Sequence, residues 1–526
     1  MGNDRRAGWV IAGAAGLLAG VALPPLGWPW LLWPALVLLW SLTGSRGGIA
    51  PERFWRGGLW GLAAVLVSHR WLLWLHPLDW IGVPGPLSLP ICLALWLAIG
   101  LAAALLVGAW TALVGRLDSG RPSTALLAAT LWGLAEVLLA RGPLFWLGLG
   151  SAALPGDRAL AGLAALGGAG FLAAIQLLIG WGLWRALLAV PAHRNRWLLS
   201  TLVLVASCHL AGLALLGQAA APGGRAERWL VLQPAIPTRQ KFEVDQQRLL
   251  LQRLALAQRR AATADPPVQG VLLPEGSLAL GQTLPEAAPV EVLSGGFRRE
   301  GAELRSSLLR FEPGQREPGR WIDKHRVVPL GEWVPLADLW RWSGLSAVGG
   351  LEPGTASRLL ARPGGDVGVA ICYELSDGTA LAAASRDGAR WLLASANLDP
   401  YPEQLQGQFA ALAQLRAIET GRWLVSSANT GPSLLVDAAG RVLEQLPAGR
   451  PATGLLTVQQ RSRLTPYVRW GEGPLIGIAL AAAAWRWIAA ARGGVIAPGA
   501  GGAEQGPLEG RRSRCPPTGK PPGSPD

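Results

Sequence analysis

Long apolar stretches constrain the fold of this chain more than any other feature. Seven of them precede a large polar segment and an eighth follows it, and most approach the ~20 residues that a helix needs to cross a bilayer. With 51% hydrophobic and 15% charged residues, the chain is too apolar for an ordinary soluble protein. We therefore predict an α-helical membrane bundle of about eight spans, over residues 8–24, 28–43, 57–75, 87–115, 123–140, 159–190, 197–217 and 473–491.

The basic residues between these stretches predict an orientation. Arginines precede the first stretch and follow the second, fourth and sixth, whereas the loops at 24–27 and 76–86 contain no Lys or Arg. Because loops rich in Lys and Arg stay in the cytoplasm, both termini are expected there. An odd number of preceding spans then delivers the polar segment to the outer side of the membrane.

Four regions follow from this reading. Residues 1–217 form a bundle of seven spans, 218–472 form the outer domain, and 473–492 form the eighth transmembrane helix. The Gly/Pro-rich tail, 493–526, is expected to be disordered.

Charge and cysteine content exclude other classes. The net charge of +13 could indicate nucleic-acid binding, but the basic residues cluster in short loops between apolar runs and no motif of a known nucleic-acid module occurs. Cys92, Cys208, Cys372 and Cys515 show no CxxC or Cys/His spacing, so we expect no metal site and no cofactor. Only Cys372 lies in the outer domain, which therefore has no internal disulfide.

The outer domain alternates between two periodicities. Strands are predicted at 228–234, 268–276, 366–374, 389–397 and 421–431, and helices at 244–263 and 403–421. Short strands separated by helices, with reactive residue types where strands end, indicate an α/β sheet domain.

Three residues stand where strands end: Glu275 in "VLLPEGS", Lys324 in "WIDKHRVVPLGEWVP" and Cys372 in "VGVAICYELSDG". Singly, such a carboxylate is usually a helix cap, a lone Lys is usually a surface residue, and a lone Cys usually serves packing. However, only three of the 47 basic residues are Lys, which favours a specific use of Lys324. Together the three residues indicate a site.

The residue types suit nucleophilic catalysis. A thiol reacts as its thiolate, and a neighbouring carboxylate can remove its proton as general base. A Lys favours the thiolate and can donate to the oxyanion of a tetrahedral intermediate. The backbone N–H of Tyr373 is expected to be a second oxyanion donor. Cys372 would then carry an acyl group as a thioester.

Glu275, Lys324 and Cys372 also resemble, in order and surroundings, the Glu-Lys-Cys triad of the nitrilase superfamily. Nearly the whole chain except its tail is similar to the bacterial apolipoprotein N-acyltransferases, the membrane-bound branch of that superfamily. The segments that carry this resemblance are "QPAIPTRQKF" (233–242), "KHRVVPLGEWVP" (324–335), "ICYE" (371–374), "ANTG" (428–431) and "LTPYVRWG" (464–471).

The resemblance implies a four-layer αββα sandwich as a periplasmic catalytic domain of a protein in the bacterial inner membrane. It implies that Glu332 and Glu374 are additional functional carboxylates and that Tyr373 supports an acyl pocket. Glu332 and Trp333 would lie on a mobile arm near the membrane. For Glu332, an ion pair with Arg326 or Arg341 is the structural alternative.

Three segments depart from the family pattern. The segment after the strand that follows Cys372 reads "NLDPYP", with Asn397, Asp399 and Tyr401, where "NDAWFG" is common. Ala235 replaces the usual Asn of "Q-x-N-I-P", and "LRSSLL" stands where a Tyr-Asn-Ser stretch is expected. These departures concern contacts to the substrate and leave the triad intact.

The activity that the resemblance implies is transfer of an acyl chain from a phospholipid, through a Cys372 thioester, to the N-terminal amine of diacylglyceryl-cysteine in lipoproteins. We expect a monomer embedded in the membrane, with no nucleic-acid partner. One alternative is a membrane-anchored amidase with the same triad. Another is a transporter with an external binding domain, for which His69, Arg70 and Glu136 are candidate intramembrane polar residues, although few such charges and no clear inverted repeat occur.

Overall fold

The computed structural model of this 526-residue chain describes residues 2–44, 50–79, 83–220, 223–329, 332, 350–399 and 401–494, with side chains between residues 6 and 491. Four of the predictions above lie outside these residues. They concern Trp333, Arg341, Cys515 and nearly all of the tail 493–526.

Helices form where the sequence is continuously apolar. Small residues bring neighbouring helices close together: a Cβ added at Gly57 would lie 2.0 Å from Thr111 Oγ1, so no larger residue fits there. The helices of the N-terminal part are α1 (Gly2–Ala22), α2 (Pro29–Thr43), α3 (Ala50–Ser68), α4 (Gly85–Arg116), α5 (Pro122–Arg141), the short α6 (Arg158–Ala161), α7 (Ala164–Leu188) and α8 (Pro191–Ala220).

The outer domain contains two six-stranded sheets. Its strands are β1 (Ala226–Gln233), β2 (Gly270–Leu273), β3 (Glu291–Glu300), β4 (Glu303–Phe311), β5 (Arg320–Asp323), β6 (Leu359–Leu360), β7 (Val367–Ile371), β8 (Trp391–Ala396), β9 (Leu424–Ala428), β10 (Leu434–Val436), β11 (Val442–Gln445) and β12 (Ala452–Gln459). The first sheet has the order β12-β1-β2-β3-β4-β5, and the second has the order β11-β10-β9-β8-β7-β6. In the second sheet β7, β8 and β9 are parallel, so their carboxyl ends share one edge.

Helices cover the outer face of each sheet. On the first sheet, α9 (Val244–Ala262) buries Leu250 and Leu254 against β2. On the second lie α10 (Gly378–Arg386) and α11 (Glu403–Thr420). Trp229 and Trp391 meet between the sheets with ring centroids 5.5 Å apart. This order of layers confirms the predicted αββα sandwich.

The catalytic-side helix α11 rests on the helical bundle. Gln408 Nε2 donates to the carbonyl of Ser68 at 2.8 Å, and the rings of Phe409 and Phe145 stack with centroids 5.6 Å apart. One apolar cluster therefore continues from α1, α2 and α7 into the outer domain without interruption.

The chain returns to the bundle after β12. The segment "LTPYVRWG" forms the short helix α12 (Pro466–Trp470), capped by the side chain of Thr465, and leads into α13 (Gly473–Gly494). In the described part of the chain, five helices are long and apolar enough to cross a membrane: α4, α5, α7, α8 and residues 473–491 of α13. Every predicted apolar stretch coincides with a helix, but the number of eight spans stays a prediction, as do the region boundaries.

Candidate active site

The three candidate residues follow three strands of two different sheets. Glu275 comes two residues after β2 and Lys324 directly after β5, both in the first sheet, whereas Cys372 comes directly after β7 in the second. Because the sheets pack face to face, these strand ends meet across the sandwich. The structure thus brings together side chains 48 to 97 residues apart in the sequence.

Cys372 lies on a sharp turn. Its φ of +56° is in the left-handed region, which residues other than Gly rarely adopt, and a single 3₁₀ turn, Cys372–Ser376, follows at once. Such strain costs about 1–3 kcal/mol and persists where surrounding contacts enforce it. The turn presents the thiol at the end of a rigid strand and leaves the Tyr373 N–H in its first turn, where helical N–H groups have no partner within the helix.

Lys324 connects the two nearest carboxylates. Its Nζ donates to Glu275 Oε1 at 2.8 Å and to Glu332 Oε1 at 2.7 Å, and only 1% of the Lys324 side chain is exposed. The remaining Glu275 oxygen accepts from the backbone N–H of Asn397 at 3.1 Å. Both carboxylates thereby hold one ammonium in place beside Cys372.

The charges around the site set its protonation at rest. Burial raises the pKa of Glu275, but the ammonium of Lys324, helped by Lys241, outweighs this and brings it below its ordinary value. Burial, the Glu275 carboxylate and a hydrogen bond to it raise the pKa of the Cys372 thiol well above its usual range, although Lys324 opposes the rise. An ionised Glu275 therefore faces a protonated thiol, the arrangement that general-base activation at the moment of attack requires. Lys324 does not by itself produce a resting thiolate.

Glu332 differs from Glu275. Burial, opposed by Lys324 and reinforced by Glu275, raises the pKa of Glu332 above its ordinary value. Its second oxygen accepts from the Val328 N–H at 2.9 Å. Its described partner is Lys324 rather than Arg326, whose guanidinium instead donates to Ser376 Oγ and to the carbonyl of Gly142.

Glu374 ties the nucleophile turn to the strand end that carries Lys324. Its oxygens accept from the N–H groups of Ile371 at 2.8 Å and His325 at 2.7 Å, and Arg358 bonds both of them at 3.1 Å. With 3% of its surface exposed, Glu374 acts on the position of Cys372 and Lys324 rather than on a bound molecule.

Tyr373 closes one side of the same region. Its hydroxyl donates to the carbonyl of Val327 at 2.9 Å, and its ring lies 5.7 Å from Lys324 Nζ and 4.6 Å from the guanidinium of Arg326. The ring also belongs to the apolar cluster that continues into the bundle. This placement suits the expected support of an acyl chain.

Two residues of the site were not predicted. Lys241 is 95% buried, and its Nζ donates to the backbone carbonyl of Glu275 at 2.7 Å. Burial lowers the pKa of Lys241 to about 8, which attraction to Glu275 partly offsets. Asn429 of "ANTG" donates to Asn397 Oδ1 at 2.8 Å and so orders the segment whose N–H bonds Glu275. The scarcity of Lys in this chain was the available signal for Lys241.

The segments that depart from the family pattern have local roles. Asp399 Oδ2 accepts from the N–H of Thr238 at 2.7 Å, and the Tyr401 ring meets Trp71 of the bundle edge-on at 5.6 Å. Tyr401 and Cys372 both pack against the apolar cluster that reaches into the membrane helices.

The polar residues that a transporter would use have structural contacts instead. His69 Nδ1 lies 2.9 Å from Ser68 Oγ, Arg70 donates to Gln404 of α11 at 2.8 Å, and Glu136 accepts from Trp132 and from the N–H of Leu149. They pair within the bundle or join it to the outer domain. Among the described residues, no group of three or more His, Cys, Asp or Glu side chains could hold a metal ion.

Two family descriptions match this chain. Residues 15–182 match the family described as Apolipoprotein N-acyltransferase N-terminal domain, and residues 299–467 match Carbon-nitrogen hydrolase. The second match includes Lys324 and Cys372, whereas Glu275 precedes it.

Similar proteins with curated names share most of the length. A protein of Prochlorococcus marinus (strain MIT 9313) named Apolipoprotein N-acyltransferase is 50% identical over 91% of this chain and 96% of its own length. One of the same name from Parasynechococcus marenigrum (strain WH8102) is 47% identical over 89% of this chain and 98% of its own length.

Solved structures are similar to the outer domain only. Nit3 of Saccharomyces cerevisiae, a member of branch 10 of the nitrilase superfamily, is 15% identical over 45% of this chain and 91% of its own, with a TM-score of 0.34. An amidase from Nesterenkonia sp. is 18% identical over 48% of this chain and 96% of its own, with a TM-score of 0.32.

Proposed function

We propose, because this chain belongs to the apolipoprotein N-acyltransferase family, that it transfers an acyl chain from a phospholipid to the N-terminal amine of diacylglyceryl-cysteine in lipoproteins. One observation of the structure carries the proposal: the Cys372 thiol packs against an apolar cluster that continues into the membrane helices. A donor whose tails lie in the bilayer can reach such a thiol, whereas a water-soluble amide needs no such surroundings.

In the first half-reaction, Glu275 takes the proton of the Cys372 thiol as sulfur attacks the ester carbonyl carbon. Lys324 Nζ and the Tyr373 N–H donate to the resulting oxyanion. When the intermediate collapses, the ester C–O bond breaks, the lysophospholipid oxygen takes the proton from Glu275, and the acyl group stays on Cys372 as a thioester.

In the second half-reaction, the lipoprotein amine attacks the thioester carbonyl. Glu275 accepts the proton from nitrogen and returns it to the departing sulfur, so that an amide and the free thiol result. The same two donors hold the second oxyanion. Water must stay out between the two steps, because hydrolysis of the thioester would waste the donor. The apolar surroundings of Cys372 serve this exclusion.

We further propose that the protein is a monomer of the inner membrane with a periplasmic catalytic domain and cytoplasmic termini. The arginine-rich loops after the second, fourth and sixth apolar stretches support this orientation. A reporter that is active only in the periplasm, fused near Gly223, should be active. Activity of a cytoplasm-specific reporter at that position would reverse the orientation and leave the chemistry untouched.

Release of lysophospholipid tests the acyl transfer. With phospholipid alone, we expect about one equivalent of lysophospholipid per enzyme and a mass adduct on Cys372. A diacylated lipopeptide with a free N-terminal amine should restart release. Cys372→Ala should lose the adduct, whereas the matched control Cys208→Ala, with its thiol in α8, should keep it.

The same measurement separates the alternative hydrolase. A membrane-anchored amidase or esterase would clear the thioester with water and release lysophospholipid over many turnovers without the lipopeptide. Steady turnover that is insensitive to blocking the lipopeptide amine contradicts acyl transfer.

A further inference from the structure

A second cavity lies at the other end of the second sheet. It has a volume of about 180 Å³, far above the ~10–15 Å³ that one water molecule needs. Its polar lining consists mainly of Arg461, Arg463, Arg469 and Gln218, and Trp470 lies beside them. No Asp or Glu is among the described residues that line it. Such a lining suits an anion.

The cavity lies where two membrane helices end. Gln218 is in the last turn of α8, and Trp470 precedes α13 by two residues, and both helices are long and apolar enough to span a bilayer. Trp and Arg side chains are typical of the level of lipid head groups. Trp470 is 61% exposed, as the boundary position requires.

Buried positive charge surrounds the cavity from behind. Arg422 is 1% exposed and donates to the backbone carbonyls of Ala389 at 2.7 Å and Arg463 at 2.6 Å. Burial and repulsion by Arg390 and Arg461 lower the pKa of Arg422 to about 10. Burial and repulsion by Arg463 likewise lower the pKa of Arg461, against attraction by Asp437. An anion in the cavity would relieve this repulsion.

The membrane side of the cavity offers apolar surface. Leu210 and Leu213 of α8 are 69% and 53% exposed and lie one to two turns before Gln218. Acyl chains can lie along this face while a head group occupies the cavity. Free phosphate would use only the arginines.

We propose that this cavity binds the phosphate of an anionic phospholipid, with the acyl chains against the exposed face of α8. It is separate from the reaction centre: Arg390 and Arg422 precede β8 and β9, whereas Cys372 and Asn397 follow β7 and β8. Six residues of β8 at ~3.3 Å each place the two ends roughly 20 Å apart. The bound lipid is thus an accessory ligand that holds the outer domain to the membrane surface, and the inference does not rest on the proposed acyl transfer.

Native mass spectrometry of the full chain can test this in a Cys372→Ala background, where lipid is not consumed. Dioleoyl phosphatidylglycerol should bind at least about tenfold more tightly than dioleoyl phosphatidylcholine. R463A/R469A removes two exposed arginines and should lower the affinity for phosphatidylglycerol about tenfold or more. R463K/R469K keeps the charge and should retain most of the affinity.

The matched control is R248A/R259A, which removes two exposed arginines from α9 on the opposite face of the sandwich. It should bind phosphatidylglycerol like the parent. An unchanged affinity of R463A/R469A, or an equal loss in the control, overturns the proposal. Glycerol 3-phosphate should compete only at a concentration about a hundredfold above the lipid, and competition at equal concentration would assign the cavity to free phosphate instead.

Discussion

At the carboxyl ends of β7 and β8, buried positive and negative charges are matched, whereas at the amino ends of β8 and β9 arginines line a cavity without a carboxylate. At the first end, Lys324 bonds Glu275 and Glu332. At the second, Arg422 donates to backbone carbonyls, and three further arginines line the cavity. One sheet thus carries two different electrostatic environments.

The difference teaches what each end can do. Matched charges fix protonation states before a substrate arrives, so Glu275 can act as a base in a water-poor site. Unmatched cations leave an electrostatic vacancy that a lipid phosphate fills from outside. Substitutions at one end should therefore change turnover, and substitutions at the other should change lipid retention.

Cys372→Ser should have the largest effect. A Ser hydroxyl is far less acidic than a thiol, and Glu275, whose pKa lies below its ordinary value, is a weak base for it. We expect no acyl-enzyme by intact mass and a rate loss of more than about 10³-fold. Near-normal turnover would show that Cys372 is not the nucleophile. Phosphatidylglycerol retention at the opposite end should stay as in the parent.

Lys324→Arg should rank second. The planar guanidinium cannot replace a compact ammonium that contacts two carboxylates within 2.8 Å and also faces an oxyanion. Loss of one oxyanion donor costs about 10²–10³-fold in rate. Single-turnover acylation with phospholipid measures this step directly. A wild-type acylation rate would refute the oxyanion role of Lys324.

Lys241→Met should have a smaller effect with a distinct pH signature. Met retains the length of the side chain but removes the charge that helps to lower the pKa of Glu275. Glu275 must be ionised to accept a proton, so a higher pKa moves the acid limb of the pH–rate profile to higher pH. We expect about a tenfold loss near the acid limb and a smaller loss at neutral pH, where Glu275 ionises in both proteins.

The control for Lys241→Met is the shape of the profile. A merely structural role would lower the rate equally at all pH values. A parallel drop with an unmoved acid limb would therefore contradict the electrostatic role.

Salt should separate the two ends with the smallest effect on turnover. Exposed charges are screened over a Debye length of about 10 Å at 0.1 M and about 3 Å at 1 M, and buried pairs are screened much less. Raising NaCl from about 0.1 to 1 M should weaken phosphatidylglycerol retention several-fold but change Cys372 acylation by less than about twofold. Equal sensitivity at both ends would abolish the distinction.

Local sequence patterns predicted the elements that carry the site. The strand at 366–374 appears as β7, the strand at 389–397 as β8, and the helix at 403–421 as α11. These segments have a strong apolar periodicity and clear ends such as Gly421, whose left-handed conformation terminates α11. Strands β3 to β5 escaped, because charged residues interrupt β3 and β4 and β5 has only four residues. The two-sheet sandwich came from the family resemblance, not from periodicity.

The sequence by itself determined that this chain has membrane helices, that a thiol ends a buried strand, and that Glu275 and Lys324 end others, because hydrophobic periodicity and strand ends are local properties. Only the tertiary structure decided that Lys241 supports Glu275, that Glu332 pairs with Lys324, and that arginines from separate segments surround one cavity at the membrane boundary. Electrostatic partners depend on which strand ends meet when the sheets pack and on how much water that packing removes, and neither can be inferred from spacing along the chain.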